Sequence, residues 1–118
     1  MTQVKMFYKG NIIYGFHMKG HAEFNTKGPD ILCASLSTAS QMTINGVLDW
    51  MGLDVDECIK ENDPRQASLL FDVDVVPERV YSQSVVQQLF KSFEMYVEQL
   101  AEQYNEYVIL ERRQKDDM

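Results

Sequence analysis

Residues 12–36 read IIYGFHMKGHAEFNTKGPDILCASL, a stretch in which a period of two gives way to a period of three to four. From Ile12 to Lys19 the side chains alternate, with Ile12, Tyr14, Phe16 and Met18 on one face and Ile13, His17 and Lys19 on the other. That is the signature of a strand. Gly20 to Pro29 has neither period and is rich in turn formers, so it reads as a loop long enough to carry function. After Asp30, Leu32, Leu36, Ala39, Thr43, Val47 and Trp50 recur at spacings of three and four until Gly52. The expectation is a helix over about 31–51, with Asp30 as its N-cap and Gly52 as its C-terminal stop.

Upstream, Val4 to Tyr8 also alternates, and Lys9-Gly10-Asn11 supplies turn chemistry, so the first twenty residues predict a β-hairpin. Downstream, Val55 to Lys60 and Ala67 to Val73 predict a second hairpin around Asn62-Asp63-Pro64-Arg65. Pro77 then opens a second helix, Glu78 to about Gln103, whose apolar stripe is Val86, Leu89, Phe93, Val97, Leu100 and Tyr104. Unbroken, it would be ~39 Å long at 1.5 Å per residue. A compact domain of this size is only ~26 Å across, so the far end would overhang or be covered by a partner subunit. Tyr107 to Glu111 predicts a short last strand, followed by a solvated tail RRQKDDM. The fold class expected is α+β in ββαββα order: two hairpins and a short C-terminal strand form one mostly antiparallel sheet, with two helices packed on it, as a single domain over residues 1–118.

With 118 residues, 45% hydrophobic and 25% charged, the chain lies in the ordinary globular range. Its longest apolar runs are far below the ~20 residues needed to cross a bilayer, and the N-terminus MTQVKMFYKG lacks a basic head and apolar run. A cytoplasmic location without membrane contact is expected. The net charge of −7 argues against direct nucleic-acid binding, which needs a basic surface, and suits a basic protein or peptide partner. Two cysteines, Cys33 and Cys58, make neither a disulfide framework nor a zinc set, and no G-x-x-x-x-G-K loop follows a strand. No metal or cofactor is therefore expected.

Cys58, in the expected third strand with no histidine near it in sequence, reads as structural. Cys33 is different. Behind Asp30 it would occupy the first turn of the helix, where free backbone N–H groups and the helix dipole favour a thiolate and could hold an oxyanion. His21 lies 12 residues earlier, at the junction of strand and loop, and could take the thiol proton and return it to a leaving amine. Ser37 is one turn beyond Cys33 on the same helix face. A small core cysteine and a loop histidine are the bland alternatives. Phe7, Tyr14 and Phe16 fit the core, with an apolar peptide channel as the alternative. Phe24, inside the loop, is the candidate substrate contact. Met42, Trp50, Met51 and Tyr96 fit core or dimer contacts, and Gln87, Gln88, Glu94, Glu98, Gln99 and Glu102 a solvated helix face.

These residues carry a resemblance. Gly20-His21-Ala22, then Gly28, then Asp30-Ile31-Leu32-Cys33-Ala34 with Ser35 and Ser37 following, resembles the signature of the ribosomal-processing cysteine protease family, Prp (YsxB-like), and the similarity of element order covers nearly the whole chain. The resemblance implies a homodimeric cysteine endopeptidase that removes the short N-terminal extension of the bacterial large-subunit ribosomal protein L twenty-seven. It implies His21 and Cys33 as the catalytic pair, Asp30 and Ser37 as supporting positions, and Gly20 and Gly28 as hinges of a loop that closes over the peptide. The sequence departs from the pattern at Leu32, where valine is usual, at Ser35, where alanine is common, and at Pro29, which would stiffen the loop. Two other functions remain open at this point: a non-catalytic dimeric module that binds a ribosomal or other basic protein, and a redox sensor using Cys33 alone.

Overall fold

The structure is a computed structural model and describes residues 1–20 and 29–117. β1 (Thr2–Lys9) and β2 (Ile12–Lys19) form the first hairpin, and α1 (Pro29–Met51) follows. A short α2 (Val55–Cys58) leads into the second hairpin of β3 (Ile59–Asp63) and β4 (Ser68–Asp72). Then come α3 (Glu78–Tyr81), α4 (Ser84–Gln103), β5 (Val108–Gln114) and a 3-10 turn, Lys115–Asp117. The five strands make one sheet in the order β3-β4-β2-β1-β5. Every neighbouring pair is antiparallel except β1 and β5, which run parallel. The α+β class and the element order expected from sequence are those observed.

Phe16 centres the core under α4: its ring lies 4.5 Å from that of Phe93, 5.6 Å from Phe71 and 6.5 Å from Phe90. α1 packs on α4, and the two come close at Gly46, where a Cβ would stand 3.2 Å from Leu89 Cδ1. Phe7 and Tyr14 are buried and stacked on each other, so they and Phe16 are core and not a channel lining.

The alternation read along β2 is interrupted. Phe7 pairs with Gly15 but Tyr8 with Ile13, which leaves Tyr14 as the extra residue of a β-bulge. The bulge turns Ile13 inward, where it is fully buried. Its freed backbone groups are satisfied by the Gln87 side chain: Ile13 N–H donates to Gln87 Oε1 at 2.8 Å, and Gln87 Nε2 donates to Ile13 O at 2.8 Å and to Tyr81 O at 2.9 Å. Gln87 is thus buried and does not belong to the solvated face of its helix. Glu94 leaves that face too, because it accepts from Tyr8 Oη and pairs with Arg112.

Other expectations are corrected at element ends. α1 begins at Pro29, whose fixed φ and missing N–H suit a first helical position, so Asp30 is the second helical residue and not the N-cap. Trp50 is exposed and donates its indole N–H to Gln83 Oε1 at 3.2 Å. Met42 and Tyr96 also stand at the surface, whereas Met51 packs against the core. Residues 55–58 are helical instead of extended, because Asp54 and Glu57 close a helical turn on each other: Asp54 N–H donates to Glu57 Oε1 at 3.3 Å and Glu57 N–H to Asp54 O at 3.1 Å. Cys58 ends that turn and is fully buried, which keeps its structural reading. The second long helix breaks at Gln83, whose ψ of 144° is extended. The break lets Tyr81 drop wholly into the core and shortens α4 to 20 residues, about 30 Å. Finally, Arg112 to Gln114 are not a free tail but continue β5 alongside β1.

Candidate active site

The N-terminal end of α1, the open end of the β1–β2 hairpin and the β3–β4 turn enclose a groove of about 260 Å³. Cys33, Ser37, Ser40 and Gln41 come from α1 and form one wall; Asn62, Asp63 and Pro64 form the other. Met18, Leu36 and Leu69 add apolar surface between them. Helical geometry explains the first wall, since positions 33, 37 and 41 follow one another at four-residue steps and share a face. Strand pairing explains the second: Asp63 pairs with Ser68, and Ser68 with Lys19, which brings the turn beside the end of β2.

Cys33 is half-buried and faces this groove; Cys58, wholly enclosed in the core, has its thiol pKa pushed up by burial. With α1 starting at Pro29, Cys33 is the fifth helical residue, at the beginning of the second turn. The dipole's influence is concentrated in the first turn, which ends before Cys33. Ser37 is exposed and also lines the groove. Gly20 lies at its edge with a φ of +97°, a conformation L side chains rarely adopt, and a Cβ there would meet Met1 O at 2.4 Å. Its N–H donates to Ala67 O at 3.1 Å, tying the start of the loop to the β3–β4 turn. His21, Phe24 and Gly28, named above as catalytic base, substrate contact and hinge, lie outside the described residues, and of Asp30 only its helical backbone position is described.

Among the described residues the histidine present is His17. Its Nε2 is 2.8 Å from Ser68 Oγ and 3.8 Å from Glu61 Oε2, and burial lowers its pKa against the opposing pull of Glu61. Its ring is committed to joining β2 with β4. Also among the described residues, no three His, Cys, Asp or Glu side chains come together as a metal site, and no helix is long and apolar enough to cross a membrane.

The sequence reading missed Ser40, Gln41, Asn62 and Asp63. Extending the four-residue step from Cys33 and Ser37 would have found Gln41. No local signal could have placed the β3–β4 turn opposite Cys33, because that depends on pairing strands about fifty residues apart in sequence.

The family model for cysteine protease Prp matches residues 1–109. Among solved structures, SMU.848 from Streptococcus mutans is similar with a TM-score of 0.79 at 24% identity, over 98% of this chain and 96% of that one. The essential ribosomal processing protease Prp from S. aureus in complex with a substrate peptide gives 0.74 at 18% identity, over 96% and 100%. The same S. aureus protease with a covalently linked product peptide gives 0.72 at 21%, over 96% and 100%. At these identities the likenesses establish a shared fold. No curated protein matches the sequence. Because the family model spans nearly all of the sequence, the chain belongs to the cysteine protease Prp family.

Proposed function

We propose that this chain is a cytoplasmic cysteine endopeptidase, one domain over residues 1–118, that removes the N-terminal extension of ribosomal protein L twenty-seven through Cys33 and His21. The observation that carries the reading is the half-buried Cys33 thiol facing a groove of about 260 Å³. Family membership supports proteolysis, and the similar S. aureus protease, solved with a substrate peptide and with a covalently linked product, supports ribosomal processing and covalent chemistry.

In this mechanism His21 takes the thiol proton, and Cys33 Sγ bonds to the scissile carbonyl carbon. The tetrahedral intermediate collapses with cleavage of the C–N bond, and His21 gives its proton to the departing amine. Water then adds to the thioester with His21 as base, the C–S bond breaks, and the acid product leaves with Cys33 restored. Ser37 holds the imidazole or the peptide backbone by hydrogen bonding, Asp30 sets the start of the helix, Phe24 meets the substrate, and Gly20 and Gly28 bound the closing loop.

A homodimer is part of the proposal. Its support is the stripe of Ile31, Ala34, Thr38 and Met42 on α1 with Tyr96 of α4, an exposed, uncharged surface on an otherwise strongly acidic chain. The test is intact-mass analysis of a peptide spanning an extended start of the ribosomal protein, incubated with wild type and with Cys33→Ala, after sedimentation has measured the size of each. The expected result is dimers in both samples and a single internal cut by wild type alone. Cleavage by Cys33→Ala overturns Cys33 as the nucleophile; no cleavage by a folded wild-type dimer overturns the endopeptidase in favour of the binding module; a monomer overturns the dimer.

A further inference from the structure

Among the described residues that line the Cys33 groove, Asp63 is the only one with a formal charge. The side chains of Ser37, Ser40 and Gln41 beside Cys33 on the α1 wall carry no formal charge, and neither does Asn62 beside Asp63. The Asp63 side chain is 28% exposed, so it is screened less than a surface carboxylate yet remains open to a partner. Its direction is fixed, because Arg65 N–H donates to Oδ1 at 3.0 Å and holds the carboxylate on the turn. Oδ2 accepts no hydrogen bond among the described residues. Among the described residues the cation within 4 Å of it is the Arg65 guanidinium, with Nε 3.8 Å from Oδ1, and that side chain is 92% exposed. A pair this long, with one member so solvated, is a weak tethered counterion that an incoming cation can displace.

From this placement we propose that Asp63 makes the groove select peptides that carry a lysine or arginine side chain where the peptide passes the β3–β4 turn. The inference rests on the endopeptidase reading for its substrate class and adds a specificity determinant to it. The net charge of −7 draws basic peptides towards the molecule as a whole, but a diffuse field does not choose a position along a peptide. A single carboxylate on one wall does. It also disfavours an acidic side chain at that position, because two carboxylates would face each other in a partly desolvated groove.

Binding is measured by fluorescence anisotropy on the Cys33→Ala protein with an extension-derived peptide in which lysine, norleucine and glutamate are stepped through each position flanking the scissile bond. At one position lysine should bind about fivefold tighter than norleucine at low ionic strength, with glutamate weakest and the preference shrinking in salt. In Asp63→Asn, whose amide oxygen can still accept the Arg65 N–H and so keep the turn, the lysine-to-norleucine ratio should fall to about one. Asp63→Lys should invert the preference towards glutamate, and Arg65→Gln, which removes the internal competitor, should raise the lysine preference. A lysine preference retained in Asp63→Asn, or no position preferring lysine in the parent protein, overturns the proposal. Cleavage of the same peptides by the Cys33 protein is scored separately: position-selective binding without any cut defeats the protease reading alone, and efficient cutting indifferent to lysine defeats the role of Asp63 alone.

Discussion

The two ends of the β1–β2 hairpin are built in opposite ways. At the turn end, Asp74 accepts from Lys9 Nζ at 2.8 Å and from Tyr81 Oη at 2.8 Å and is bridged by Lys115, while Gly10 and Gln114 exchange two hydrogen bonds of 2.8 and 2.9 Å. Gln87 closes the adjoining bulge. These contacts tie together β1, β2, the chain entering α3, the start of α4 and the C-terminal turn. About 26 Å away, at eight residues of ~3.3 Å each, the other end has Gly20 hung from Ala67 by a backbone hydrogen bond and a groove walled by neutral side chains and the Asp63 carboxylate. Among the described residues, side-chain hydrogen bonds between elements are denser at the turn end than around the groove. The proposed admission of a peptide to the Cys33 thiol would be served by that division, since polar side chains already bonded to each other have nothing to offer a ligand.

The largest effect on this contrast should come from Gln87→Ala. It leaves Ile13 N–H, Ile13 O and Tyr81 O buried without their partner, so stability should fall by about 2–4 kcal/mol in urea unfolding, while cleavage at the distant groove persists wherever the protein is folded. A loss of activity beyond the folded fraction would mean that the ends are coupled.

Asp74→Asn should be milder and dependent on pH. Burial pushes the Asp74 carboxyl up, but hydrogen bonds from Lys115, Lys9 and Tyr81 outweigh it and hold the pKa at about 2, below its ordinary 3.8. A depressed carboxylate pKa contributes stability that is fully present above pH 4 and is lost as pH falls towards 2. Wild type should therefore exceed Asp74→Asn by about 1 kcal/mol near neutrality, and the two unfolding curves should converge between pH 4 and 2. A difference independent of pH would remove the charge from the account of the locked end.

The smallest change in stability belongs to the open end. Ser37 is exposed on the groove wall, so Ser37→Ala should alter stability by under about 0.5 kcal/mol and yet lower kcat/KM for the extension peptide about tenfold. Unaltered kinetics would take Ser37 out of the machinery and leave it as part of the wall.

The same contrast explains what could be read in the sequence. Local periods revealed the first hairpin, β4, α1 and the helical stripe of α4, because each buries one face of a regular element, whereas the strand read over 55–60 is a helical turn up to Cys58 and β3 runs instead through Asn62 and Asp63. The bulge at Tyr14 was illegible, since the group that makes it tolerable, Gln87, is 74 residues from Ile13. The break at Gln83 carries no glycine or proline, and it follows from Tyr81 entering the core. Arg112 looked like tail because its charge is balanced by Glu94 and Glu98, at 3.0 and 2.6 Å, across a helix–strand contact that no window of sequence contains. In the groove, the shared wall of Cys33 and Ser37 was readable from helical spacing, whereas Asp63 required the sheet register that sets its turn opposite them.

The most direct test of Cys33 as the nucleophile is to incubate the protein with an extension-derived peptide whose scissile carbonyl is replaced by a chloromethyl ketone, and to map the adduct by mass spectrometry. The account predicts one peptide per chain, attached to Cys33, with Cys58 unmodified. Attachment to Cys58, or no adduct on a protein that still cuts the unmodified peptide, would contradict it.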